Sequence, residues 1–79
     1  MTQEQALELI SAEAYKAASK YPKFNSAHEG YAVLLEEVEE LWEEIKVKQA
    51  YRDDKVMELE AIQVGAMAVR FLTDCIKVR

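Results

Sequence analysis

The sequence is poor in the residues that make turns, cross-links and metal cages. Its 79 residues include only two glycines, one proline, one cysteine and one histidine. So few turn-forming residues argue against an all-β fold, which needs many tight turns. A single cysteine excludes an internal disulfide and a multi-thiolate metal site, and with one histidine we expect no structural zinc site within one chain.

The chain also lacks an excess of positive charge and any long apolar run. Ten Lys and Arg residues stand against fifteen Asp and Glu residues, which gives a formal net charge of −5. A nucleic-acid polymer is therefore not an expected partner, because binding to a phosphate backbone needs clustered cations. No run approaches the roughly 18 apolar residues of a membrane span. The first residues, MTQEQALELI, have neither the cationic start nor the cleavage pattern of a secretory signal. We therefore expect a cytoplasmic protein that makes no contact with membranes.

Helical periodicity and capping signals divide the chain into three predicted helices in one domain, residues 1–79. The helices are expected at about residues 3–20, 27–49 and 55–77. A hydroxyl residue followed three positions later by Glu or Gln is a capping box, and one stands before each of the first two helices. The predicted capping residues are Thr2 with Gln5, Ser26 with Glu29, and Asp53 or Asp54. The predicted fold class is all-α.

The apolar positions of the second and third predicted helices indicate how they pack. Those of the second helix fall within roughly 120° of arc, so we expect them to face the core. They are Leu34, Leu35, Val38, Leu41, Trp42 and Ile45. The third helix is apolar almost all round from residue 59 to residue 69, which indicates burial against more than one neighbour. Because a core this small adds little net stability, we expect a homodimer or homotetramer that completes a helical bundle. Gly65 costs about 1 kcal/mol relative to Ala within a helix and indicates a close helix–helix approach.

Six glutamates occupy nine consecutive positions of the second predicted helix, from Glu36 to Glu44. One interpretation is a solvated helix face. Like charges four residues apart destabilise a helix, however, and a divalent cation would screen them. At 100° per residue, Glu37 and Glu44 lie on one flank of the apolar stripe and Glu39 on the other. Periodicity alone does not choose between the two flanks.

Glu60 lies on the third predicted helix among apolar neighbours. Its helical neighbours are Val56, Met57, Val64 and Met67, with Gln63 the only polar one. A buried carboxylate persists when it is hydrogen-bonded, paired or bound to metal. One interpretation is therefore a bond to Gln63 or to a polar group of another helix. The other is a metal shared with the glutamates of the second helix, for which carboxylate and amide oxygens favour Mg²⁺ or Mn²⁺.

The two acidic segments resemble the signature of the MazG-like all-α nucleoside triphosphate pyrophosphohydrolases. That signature is E-E-x-x-E on one helix and E-x-x-D about twenty residues later on the next. Residues 36–40, EEVEE, fit the first part, and residues 60–63, EAIQ, stand at the distance of the second. The resemblance covers roughly residues 28–74 and is nearest to short, phage-type members. It departs from the family at Gln63, where the family has an acid.

The resemblance implies a fold, a reaction and a set of site residues. The implied reaction is Mg²⁺-dependent hydrolysis of a nucleoside triphosphate to the monophosphate and pyrophosphate, with Mn²⁺ as a possible substitute. The implied metal ligands are Glu37, Glu40 and Glu60, with Gln63 at the fourth position. For that chemistry Glu36 or Glu44 is the candidate to orient the attacking water.

Other residues are candidates to hold the triphosphate substrate. Cations that could contact the phosphates are Arg70 on the third helix and, from the loops, Lys23, Lys46, Lys48, Arg52 and Lys55. Each loop cation is also explained as a solvated surface charge. Residues that could contact the base are Asn25, His28 and Trp42. Trp42 is equally explained as part of the core, because it belongs to the apolar stripe.

Two other hypotheses compete with the enzyme. The chain contains no nucleophile–base pair and no glycine-rich phosphate loop. A non-catalytic helical oligomerisation or interaction module is the main alternative, and Gln63 supports it because an amide cannot act as a base. An acidic protein that binds a basic partner through its glutamate face is the third.

Overall fold

The computed structural model of the protein describes residues 1–77. It contains three α-helices, namely α1 (Gln3–Lys20), α2 (Ala27–Ile45) and α3 (Asp54–Cys75), with a short 3-10 turn at Gln49–Tyr51. Residues 1–77 contain no β-strand. The prediction of an all-α protein with three helices is therefore confirmed. Residues 78 and 79, which the predicted single domain includes, lie outside the described part of the chain.

Two of the predicted caps form in different ways. The Thr2 side chain accepts from the Gln5 backbone N–H and the Gln5 side chain accepts from the Thr2 N–H, which is the predicted capping box. Ser26 Oγ likewise accepts from the Glu29 N–H at 3.1 Å. The Glu29 carboxylate, however, accepts from the backbone N–H and the Nδ2 of Asn25, at 2.9 and 3.2 Å. The second box is therefore only half formed, because the Glu29 side chain reaches one residue further back along the chain.

The bounds of α2 and α3 differ from the prediction at their C-terminal ends. α2 ends at Ile45, about four residues before the expected position. The side chain of Arg52 explains this early end, because its Nε donates to the carbonyl oxygens of Ile45 and Val47, at 2.9 and 3.2 Å. These bonds satisfy carbonyl groups that a longer helix would have satisfied internally. α3 begins after Asp53, whose side chain accepts from the Lys55 N–H at 2.9 Å, and it ends at Cys75.

α3 is the central helix and packs against both α1 and α2. Two glycines lie at these contacts. A Cβ atom built on Gly65 would stand 2.7 Å from Cδ1 of Ile10 on α1, and one built on Gly30 of α2 would stand 2.9 Å from Cδ2 of Phe71 on α3. Both distances are shorter than a carbon–carbon contact allows. The predicted close helix–helix approach at Gly65 is therefore confirmed.

The core of the single chain is small. The buried apolar residues are Ala14, Ala17, Ala66 and Met67. Of the predicted apolar stripe of α2, Leu34 and Leu41 are half-buried, whereas Leu35, Val38, Trp42 and Ile45 are exposed. Within the single chain, therefore, only two of the six predicted positions are partly covered, and Trp42 is not part of its core. The physical reason is that α2 packs chiefly on α3, which covers only one side of it.

None of the helices within residues 1–77 has the length and apolar character needed to cross a lipid bilayer.

Candidate metal centre

Three glutamates from two helices converge on one point. Glu37 and Glu40 lie one turn apart on α2, and Glu60 lies in the second turn of α3. One carboxylate oxygen from each residue can be chosen so that all three lie within 4.8 Å of one another. The packing of α2 on α3 thus selects the flank of Glu37, which the periodicity of α2 had left open.

The electrostatics of this carboxylate cluster, Glu37, Glu40 and Glu60, show unrelieved negative charge. Burial raises the pKa of Glu37 to about 6, and the charge of Glu40 and a hydrogen bond with it add to the shift. Burial also raises the pKa of Glu60, again with added contributions from Glu40. These causes all disfavour the ionised form. A bound cation would lower the pKa values of both residues, because it favours ionised carboxylates at its ligand positions.

Glu60 is half-buried, and its polar neighbour on α3 is bonded to another helix. Gln63, its one polar neighbour along the helix, donates from Nε2 to Oε1 of Glu13 on α1, at 2.6 Å. The amide of Gln63 therefore points its donor towards α1. Within residues 1–77 the salt bridges join other residues, so Glu60 is not held by a cationic side chain.

The carboxylate cluster forms part of the wall of a groove between the three helices. The groove has a volume of about 610 Å³, which lies within the range of about 300–1,000 Å³ usual for small-molecule sites. Glu13 and Gln63 line it beside the cluster, so a further carboxylate from α1 stands in the same space. The groove therefore combines an acidic wall with room for a ligand.

Two lysines of α1 also line this groove. Lys16 and Lys20 are four residues apart, which places them on the same face of the helix, and both are exposed to solvent. The Nζ atom of Lys20 lies 5.5 Å from the centre of the Tyr21 ring, which lines the groove as well. The groove thus offers cations and an aromatic ring as well as carboxylates.

Arg70 lines the groove but is already engaged. It is only 5% exposed, and its Nη2 donates to the carbonyl oxygen of Pro22 at 2.8 Å. The same nitrogen is 3.7 Å from Oδ2 of Asp74, and the guanidinium lies 4.5 Å from the centre of the Phe24 ring. Asp74 Oδ2 also accepts from the Phe24 backbone N–H at 3.2 Å. Arg70 and Asp74 together hold the α1–α2 loop against α3.

None of the predicted loop cations belongs to the lining of the groove. Lys46 pairs with Glu43 at 2.9 Å and Lys55 with Glu58 at 3.0 Å. Arg52 is bonded to backbone carbonyl groups at the end of α2. The predicted loop cations that do not line the groove are Lys23, Lys46, Lys48, Arg52 and Lys55. Three of them, Lys46, Lys48 and Arg52, belong to the segment between Ile45 and α3, which contributes nothing to the groove wall, and Lys55 lies in the first turn of α3.

The predicted base contacts are also elsewhere. Asn25 is bonded to Glu29, and Trp42 is 56% exposed rather than part of a core. Neither of them lines the groove, and nor does His28. The aromatic rings that do line it are Tyr21 and Phe24.

The two candidate water-orienting glutamates stand beside the carboxylate cluster without lining the groove. The negative charge of Glu36 contributes to the raised pKa of Glu37, and that of Glu44 contributes to the raised pKa of Glu60. Both therefore lie close enough to the cluster to affect its protonation.

Three groove-lining residues of α1 are not among the predicted site residues, although their spacing in the sequence is informative. Glu13, Lys16 and Lys20 follow one another at intervals of three and four residues, which is the spacing of a polar stripe on one helix face. The apolar positions of α1 do not reveal this polar row, because they indicate only the face that packs on α3.

No protein-family model matches the chain, and neither a curated protein nor a solved structure matches it.

Proposed function

We propose that the protein is a metal-dependent nucleoside triphosphate pyrophosphohydrolase of the MazG-like kind. The observation that carries the proposal is the convergence of Glu37, Glu40 and Glu60 at a groove of ligand size. These are the three residues to which the resemblance in sequence assigns the metal. The proposed reaction gives a nucleoside monophosphate and pyrophosphate, and we expect it to take place in the cytoplasm.

The donor set of the carboxylate cluster fits a hard divalent cation. Carboxylate oxygens are the ligands that such a cation prefers, and one oxygen from each of the three residues lies within 4.8 Å of the other two. Glu37, Glu40 and Glu60 would hold Mg²⁺ or Mn²⁺. When bound, the ion supplies positive charge to the phosphates and lowers the pKa of a coordinated water.

The remaining groove residues take the roles that binding a triphosphate requires. Lys16 and Lys20 provide positive charge on the α1 side of the groove, so they replace the loop cations as phosphate contacts. Tyr21 and Phe24 offer aromatic surface on which a base can stack. Arg70 acts as a positioning residue, because its bond to Pro22 and its contact with Phe24 fix the loop that carries these rings.

Gln63 stands where the family has an acid, and a carboxylate of α1 is bonded to its amide. Gln63 donates to Glu13 at 2.6 Å, and Glu13 lines the groove beside the cluster. A carboxylate therefore stands next to the position at which the family has an acid. This arrangement supports an active site rather than a site that has simply lost one of its four acids.

The test is release of pyrophosphate from a panel of ribo- and deoxyribonucleoside triphosphates with Mg²⁺ or Mn²⁺. We expect at least one nucleotide to yield pyrophosphate and monophosphate in equal amounts, and Glu37→Gln to reduce the rate by more than about a hundredfold. Glu39→Gln is the matched control, because Glu39 is exposed and lies outside the cluster. Metal binding without hydrolysis of any nucleotide would instead favour the non-catalytic helical module.

A further inference from the structure

The groove between the three helices has two ends of different chemistry. The carboxylate cluster lines one end, and Tyr21, Pro22 and Phe24 of the α1–α2 loop line the other. Glu29, in the first turn of α2, also lines the groove. It stands eight residues before Glu37, which separates the two residues by about 12 Å along the helix axis. Glu29 is therefore a fourth glutamate of α3's neighbour α2 that lies apart from the cluster, at the end that carries the aromatic rings.

The cations of α1 lie between these two ends. Glu13 is bonded to Gln63 beside the cluster, and Lys16 and Lys20 follow it by three and seven residues towards the loop. At 1.5 Å per residue, the two lysines are about 4.5 and 10.5 Å further along the helix axis. A nucleotide whose phosphates lie between the cluster and these lysines places its base at the loop end, beside Glu29.

The carboxylate of Glu29 is held in place by Asn25, the residue that follows Phe24. Its Oε1 accepts from the backbone N–H of Asn25 at 2.9 Å, and its Oε2 accepts from Nδ2 at 3.2 Å. Within residues 1–77 it accepts these two bonds and no others. An ionised carboxylate has about four lone-pair sites, so about half of its capacity is free. Glu29 is also exposed, so a ligand in the groove can reach it.

A fixed carboxylate beside aromatic rings selects among nucleobases. It accepts hydrogen bonds and donates none, so a base that meets it must present N–H groups. Adenine, cytosine and guanine present an exocyclic amino group, as cytosine does where Glu or Asp accepts from its N4 in nucleic-acid recognition. A keto oxygen in the same position would place one acceptor against another. Stacking on Tyr21 or Phe24 does not discriminate in this way, because every base has a π face.

The donors at this end of the groove do not favour a keto base instead. Arg70 is 5% exposed and donates to the carbonyl oxygen of Pro22, so it is not available to a keto oxygen. Lys20 is exposed, and in the proposed function it contacts the phosphates. Glu29 is thus the group left to read the edge of the base.

We propose that Glu29 is a specificity-determining residue that makes the groove select nucleotides whose base bears an exocyclic amino group. The amino group donates to the free lone pairs of Glu29 while the base stacks on an aromatic ring of the loop. This inference rests on the proposed function, since it takes the groove as the nucleotide site.

Pairs of nucleotides that differ at one substituent test the selectivity. The pairs are cytidine with uridine triphosphate, adenosine with inosine triphosphate, and guanosine with inosine triphosphate, each as the α,β-methylene analogue with Mg²⁺. Calorimetry then measures binding whether or not the chain hydrolyses nucleotides. In the pair that contains the tightest ligand, we expect the amino-bearing member to bind at least about tenfold more tightly. Equal binding within every pair, tighter binding of the member without the amino group, or no binding at all would overturn the proposal.

Glu29→Gln tests the residue. Because an amide both donates and accepts, this variant should reduce the preference to within about threefold. Glu39→Gln is the matched control, since Glu39 is an exposed glutamate of α2 that does not line the groove, and it should keep the full preference. A Glu29→Gln variant that weakens both members of the pair equally would show a structural role at the start of α2 and would overturn the assignment. If Glu29→Gln does not fold, the paired measurements on the wild type decide.

Pyrophosphate release from the natural nucleotides, measured in parallel, separates this inference from the proposed function. Release without discrimination between paired bases would overturn the selectivity and leave the activity in place. Discrimination in binding without release from any nucleotide would overturn the activity and support the selectivity.

Discussion

At the scale of single residues, the raised pKa values of Glu37 and Glu60 mean that the cluster opposes folding when it is ionised and empty. Burial is the first cause and repulsion from Glu40 the second in both cases. A group whose pKa is higher in the folded state binds protons more readily there than in the unfolded chain. Its stabilising contribution is therefore complete below its ordinary pKa and is lost as the pH rises through the folded value.

The first prediction concerns this pH dependence in metal-free protein. Between about pH 4.5 and about pH 6, ionisation of Glu37 should progressively destabilise the wild type, because its pKa rises from 4.5 to about 6 on folding. Glu37→Gln cannot ionise, so its free energy of unfolding relative to the wild type should increase across this interval. Denaturant unfolding at a series of pH values measures the difference. A difference that is constant from pH 4.5 to pH 7.5 would show that Glu37 is not the titrating group.

The second prediction concerns the lysines of α1. Lys20→Ala should raise the KM for a triphosphate about tenfold, because it removes a charge-assisted hydrogen bond to phosphate. It should leave the metal-induced rise in melting temperature unchanged, since Lys20 is not among the metal ligands. Lys48→Ala is the matched control, because Lys48 is exposed and does not line the groove. Equal KM values for the two variants would exclude Lys20 as a phosphate contact.

At the scale of elements, the contact between α1 and α3 depends on the absence of a side chain at Gly65. A Cβ at this position would meet three carbons of Ile10, at 2.7, 2.9 and 3.2 Å. Two of these carbons are bonded directly to the Cβ of Ile10, so a rotation of the side chain's end does not relieve the contact. The two helices would have to separate.

The third prediction follows from this contact. Gly65→Ala should destabilise the protein by about 1 kcal/mol, because overpacking costs more than the gain in helix propensity. In an Ile10→Ala background the same substitution should stabilise the protein by about 1 kcal/mol, since only the propensity gain remains. Denaturant unfolding of the four proteins gives both values. A stabilising Gly65→Ala in the wild-type background would show that the helices do not approach closely here.

The elements themselves could be predicted because their signals are local. Thr2 and Gln5 form the expected capping box, and Asp53 begins α3 as one of its two expected caps. The end of α2 could not be predicted, because it depends on a bond from Arg52 across seven residues. The direction of Trp42 was also misjudged, since periodicity finds an apolar row but does not identify what covers it.

At the scale of the whole molecule, the site divides into a part that the sequence reveals and a part that only tertiary structure reveals. Glu37, Glu40 and Glu60 could be named because one motif spans α2 and α3, which are adjacent in the chain. The spacing of Glu13, Lys16 and Lys20 marks a polar face of α1, but it does not show what that face meets, since the bond between Glu13 and Gln63 joins residues 50 positions apart. Apart from Arg70 on the third helix, the predicted cations were loop residues, whereas Lys16 and Lys20 lie on α1.

The central claim is that Glu37, Glu40 and Glu60 jointly bind a divalent cation, and titration with Mn²⁺ followed by electron paramagnetic resonance tests it most directly. The signal of free aqueous Mn²⁺ measures the unbound fraction for the wild type, Glu60→Gln and Glu39→Gln. The account predicts saturable binding to the wild type, a loss of affinity of more than about tenfold in Glu60→Gln, and no change beyond about twofold in Glu39→Gln. Equal binding by all three proteins, or no saturable binding to the wild type, would contradict it.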